Sequence, residues 1–92
     1  MEETLKTAIQ YYGPMNQKIM AIEEMSELIK EVTKDMRTDS AADKKHIAEE
    51  IADVEIAIQQ LKMMYDIEDK QLIQRKYEKI ERLKQRMAKD KS

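Results

Sequence analysis

The segment IEEMSELIKEVTKDM, Ile22 to Met36, sets Ile22, Met25, Ile29, Val32 and Met36 in alternating steps of three and four. That spacing aligns them as one stripe on an α-helix. The same steps recur in Ile47, Ile51, Val54, Ile58, Leu61 and Tyr65, and again in Ile73, Tyr77, Ile80, Leu83 and Met87. Each stripe is narrow, as in helices that pack side by side in bundles. Working outward, Gly13-Pro14 after Tyr11-Tyr12 predicts that a short first helix ends near Gln10 and a second begins around Met15. The polar run Arg37-Thr38-Asp39-Ser40 predicts a loop with N-capping residues, followed by a third helix from Ala41 or Asp43 to Tyr65. Asp66, with Asp69 three residues on, is the expected N-cap of a fourth helix, and the tail after Met87 is expected to fray. The expected fold is all-α, one domain over residues 1–92, with three long helices and one short.

Composition narrows the partners. Charged residues are 39% of the chain and hydrophobic residues 41%, with one Gly and one Pro, which suits amphipathic helices and leaves few turns for sheets. Four tyrosines are the only aromatic residues, and eight methionines take the filling role of Phe and Trp. A chain of 92 residues has little interior, and without cysteine neither disulfides nor thiolate metal sites can supplement it. Oxygen-ligated metal and subunit association remain, and a homodimer or homotetramer is expected. The net charge of −2 argues against sequence-independent nucleic-acid binding. Although Lys70 to Lys91 is locally basic, Glu78 and Glu81 interrupt it. There is no apolar run of the roughly 20 residues that span a bilayer, and Met1-Glu2-Glu3 is no signal-peptide start. The expected setting is cytoplasmic, without a membrane partner.

Chemistry concentrates in two acidic groups. Glu24 and Glu27 share a face of the second helix, and Glu50 and Asp53 share a face of the third. Two helices side by side could converge these carboxylates, and a hard divalent cation would relieve their repulsion. Against this stands the ordinary role of acidic residues as a solvated helix face. Helical geometry puts Glu50 at the rim of its apolar seam beside Val54 and Leu61, with Asp53 farther round and Ala57 leaving space one turn on. Glu24 and Glu27 lie opposite the seam of their own helix, facing either water or a cleft completed by another helix. Gln17, seven residues before Glu24, could hydrogen-bond a nucleobase or lie on the surface. Lys76 sits in the fourth seam and either snorkels outward or reaches an anion, with Lys79, Arg82 and Arg86 continuing a basic face. His46 has no Glu three residues before it, which excludes a Glu-x-x-His di-iron site, and it reads as a surface or helix-start residue. A phosphate-cradling glycine loop is excluded because Gly13 is the sole glycine.

Glu23-Glu24-x-x-Glu27 followed by Glu50-x-x-Asp53 resembles the signature of the MazG-like all-α nucleoside triphosphate pyrophosphohydrolases. The segments MAIEEMSELIKEVTK (Met20 to Lys34), EEIADVEIAIQQLK (Glu49 to Lys62) and KYEKIERLKQR (Lys76 to Arg86) are similar to small bacterial and phage members. The resemblance implies a four-helix MazG-like bundle with active sites formed in dimers, often paired into tetramers. It implies that Glu24, Glu27, Glu50 and Asp53 coordinate Mg²⁺, with Mn²⁺ as a substitute, and that Glu23 assists. It implies hydrolysis of nucleoside triphosphates, deoxy or non-standard, to nucleoside monophosphate and pyrophosphate. Glu24 or Glu27 would activate water, and Lys76, Lys79 or Arg82 would stabilise phosphate charge. The competing reading is a helical assembly module that binds nucleotide or protein without catalysis.

Overall fold

Each helix starts or stops where the sequence provides a local reason. The computed structural model describes residues 1–37 and 43–91. Helix α1 (Glu2–Tyr12) runs to Gly13, whose amide donates to the Ile9 carbonyl at 2.9 Å. Gly13 has φ 92°, a conformation that side chains disfavour, so the helix ends here rather than at Gln10. Pro14 opens α2 (Pro14–Arg37), where its missing N–H would have had no helical partner. Helix α3 (Lys44–Met64) is capped by Asp43, whose carboxylate accepts from the Lys45 amide at 3.1 Å. Arg37, expected in the loop, is instead the last residue of α2; the other expected loop residues Thr38, Asp39 and Ser40, and the alternative start at Ala41, lie outside the described residues.

The α3–α4 connection differs from expectation. Asp66 does not cap α4. It adopts φ 53° and closes α3: its amide donates to the Met63 carbonyl and that of Ile67 to the Lys62 carbonyl, the two bonds of a Schellman motif. Glu68 is the N-cap of α4 (Asp69–Asp90), in a capping box whose Gln71 side chain accepts from the Glu68 amide at 2.9 Å. A Lys62–Asp69 ion pair bridges the turn. The helix persists past Met87 to Asp90 instead of fraying.

Packing follows small residues, not the apolar stripes. Helices α2 and α3 run antiparallel and form the main contact, and α1 touches both. At their crossing Ala21 and Ala57 are 1% and 4% exposed, the two buried apolar residues among those described. Ala57 therefore fills the helix contact, where open space was expected. The stripes are covered only in part: Met25, Ile47, Val54 and Leu61 are half-buried, whereas Ile22, Ile29, Val32 and Met36 of α2, and Ile51, Ile58 and Tyr65 near or on α3, are exposed. Helix α4 packs against no other helix, leaving Ile73, Tyr77, Ile80, Leu83 and Met87 in solvent. The shape reflects this. The radius of gyration is 16.9 Å, where a compact chain of this length has about 12 Å. The accessible surface is 8083 Å², about 2,500 Å² above that of a compact monomer of this mass. Among the described residues there is no strand, and no helix long and apolar enough to cross a membrane.

The Ala21–Ala57 contact gives a direct test. Ala57→Leu should wedge α2 from α3 and destabilise the fold by about 1–3 kcal/mol, read as a lower urea midpoint. An unchanged midpoint would mean the helices are not held by this close approach.

Candidate functional site

The two-alanine contact draws the polar positions beside it together. One turn from Ala21 is Glu24, and one turn from Ala57 is Asp53, with Glu50 a further turn away. Glu24, Glu50 and Asp53 each offer an oxygen, and these oxygens all lie within 4.8 Å of one another. Among the described residues this is the one such grouping of potential metal ligands. Glu24 and Glu50 are half-buried and Asp53 is exposed. The donors are all carboxylate oxygens, the hard ligands that Mg²⁺ and Mn²⁺ prefer.

The face continues in both directions with a repeat of seven. Glu31, seven residues beyond Glu24, meets His46, seven before Asp53: His46 Nε2 is 3.3 Å from Glu31 Oε1 and 3.8 Å from Glu50 Oε1. His46 is thus an exposed residue of the first turns of α3, as expected, but it also adjoins the acidic cluster. In the other direction lie Gln17, seven before Glu24, and Gln60, seven after Asp53. Both are buried and line a cleft of about 220 Å³ with Met20, Ala21, Glu24, Asp53, Ile56 and Ala57. The face of α2 opposite its apolar stripe is therefore the face that meets α3, which settles the choice between water and a cleft for Glu24.

The other expected site residues are placed differently. Glu27 and Glu23 are exposed and outside the three-carboxylate group, though both charges are felt at Glu24. Lys76, Lys79 and Arg82 are exposed on α4, which within one chain does not reach α2 or the face of α3 that carries the acids. Gln60, Glu31 and His46 were not singled out as site residues by the sequence pattern. The signal for them was the seven-residue step from Glu24 and Asp53, which becomes meaningful only once α2 and α3 are known to pair.

Electrostatics follow from the geometry. Loss of hydration, and then the charges of Asp53, Glu50, Glu27 and Glu23, hold the Glu24 carboxyl above its ordinary 4.5. A folded-state value above the unfolded one means that Glu24's contribution to stability is full below pH 4.5 and is lost as pH rises through the folded value. Asp53→Asn should lower the Glu24 value toward 4.5 and shrink that loss, as followed by carboxyl-carbon NMR titration. A Glu24 titration indifferent to Asp53→Asn would contradict the convergence. Compared with known proteins, the chain matches no protein-family model, no curated protein and no solved structure, so its functional reading rests on its own side chains.

Proposed function

We propose that this chain is a Mg²⁺-dependent nucleoside triphosphate pyrophosphohydrolase of the MazG-like type, working as a homodimer or homotetramer. The observation that carries the reading is the convergence of Glu24, Glu50 and Asp53 from two helices beside a cleft. Loss of hydration and then the neighbouring carboxylates raise the Glu24 value, and a divalent cation would offset the repulsion among the three. The donor set fits Mg²⁺ or Mn²⁺, with Glu24, Glu50 and Asp53 holding the ion. Bound there, the ion would neutralise the triphosphate and act as a Lewis acid toward its phosphate oxygens.

The chain's own groups supply the rest. Glu27, one turn from Glu24 and outside the cluster, takes a proton from the attacking water on a carboxylate oxygen. The water oxygen bonds to the α-phosphorus as the bond from that phosphorus to the bridging oxygen breaks. Pyrophosphate leaves with the bond's electrons, and the nucleoside monophosphate remains.

Assembly has its own support. The surface in excess of a compact monomer, about 2,500 Å² per chain, is of the size that obligate homodimers bury. It is rich in aligned apolar residues on α2, α3 and α4. In such an assembly Lys76, Lys79 and Arg82 would act on the phosphates bound by a second copy.

The test is pyrophosphate release from ribo- and deoxyribonucleoside triphosphates, with Mg²⁺ and with EDTA. Wild type should release pyrophosphate and monophosphate only with the metal. Glu50→Ala should lose roughly 100-fold or more of the rate while keeping its helical circular dichroism. A folded wild type that neither releases pyrophosphate nor binds the ion would return the chain to the assembly-module reading.

A further inference from the structure

The cleft beside the acids has a second half that the carboxylate chemistry does not use. Gln17 and Gln60 line it from α2 and α3, each 7% exposed. Among the described residues neither side-chain amide makes a hydrogen bond within the protein, and no buried polar side-chain atom is sealed off without a partner. Their amide atoms therefore open into the cleft. Open to the cleft and bonded to no protein group, each carboxamide is free to pair with a complementary group that enters it.

The surroundings narrow what that group is. Ala21 and Ala57 line the cleft at the helix crossing, with Met20 and Ile56 alongside. Apolar walls with two convergent amides suit a flat ring, stacked on its faces and hydrogen-bonded at its edge. Each amide carries a donor and an acceptor side by side, the pairing that the edge of a nucleobase presents. Two helical turns, about 10.5 Å, separate Gln17 from Glu24 and Gln60 from Asp53, a span that matches a nucleoside between its base edge and its first phosphates. At about 220 Å³ the cleft is small, below the 300–1,000 Å³ of sites that enclose drug-sized ligands. It suits a single ring over a fused pair.

We propose that Gln17 and Gln60 form the base-recognition subsite of this cleft and take a pyrimidine ring, with the phosphates directed toward Glu24 and Asp53. The identity of the ligand as a nucleotide rests on the function proposed above. Gln17 carries the α2 half of the recognition and Gln60 the α3 half, so the subsite exists only where the two helices pair.

Binding measured without turnover tests this independently of catalysis. Isothermal titration calorimetry on the full chain with Mg²⁺ would compare deoxycytidine and deoxyuridine monophosphates with deoxyadenosine monophosphate and with base-free deoxyribose 5-phosphate. The pyrimidine nucleotides should bind about tenfold or more tightly than the sugar phosphate, a margin of the size that one or two hydrogen bonds supply. Gln17→Met and Gln60→Met keep side-chain length but remove the amide. Each should erase most of that margin, leaving sugar-phosphate affinity and helical content unchanged. Equal binding of the base-free phosphate, an equal margin for the purine, or a margin intact in both variants would overturn the proposal. If the margin is present but no triphosphate is hydrolysed, the catalytic reading fails and the subsite stands.

Discussion

The mutual repulsion of Glu24, Glu50 and Asp53 is the constraint to which the other features answer. Separate helices would relax it by turning the carboxylates to water. Here the close approach of α2 and α3 through Ala21 and Ala57 keeps the oxygens within 4.8 Å of one another. Larger residues at that crossing would move the helices apart, and smaller reach between them would be impossible with any side chain but glycine. The contact that stabilises the helix pair is thus also the one that concentrates negative charge, and a bound cation would turn that opposition into cooperation.

Committing the α2–α3 contact to alanines and polar residues has a consequence for the rest of the surface. The larger part of the apolar stripes therefore lies outside that contact, exposed on other faces of the same helices. Much of both stripes remains outside, and α4 adds a third exposed set of large apolar side chains from Ile73 to Met87. A chain this small gains little from its internal packing alone. In the proposed assembly, metal or substrate binding and subunit association would each strengthen the same fold by mass action.

The helices themselves were legible, because steps of three and four over long segments leave little ambiguity. The Gly13-Pro14 break was legible for a local reason, whereas Asp43 stood only as a possible helix start and its role as the cap of α3 was not legible. The Asp66 assignment failed because Asp serves both as an N-cap and as a tolerable left-handed residue, and the Lys62 and Met63 carbonyls decided for the second role. The four acidic positions were visible in the sequence, and three of them converge. Which helix face was inside was not legible. Apolar periodicity marks a face that must be covered, but it does not say whether the cover comes from the same chain. For that reason the sequence suggests open space at Ala57, and Gln60, Glu31 and His46 become site residues only once the antiparallel pairing sets Gln60 beside Gln17 and His46 beside Glu31.

The most direct measurement of the central claim is Mn²⁺ binding to the intact chain, followed by electron paramagnetic resonance as free ion disappears, for wild type, Glu50→Gln and Asp53→Asn. If the three carboxylates share one cation, wild type binds Mn²⁺, Mg²⁺ competes for the same site, and each variant weakens binding by about tenfold or more. Affinity that is absent in wild type, or equal in all three proteins, would contradict a metal centre between α2 and α3.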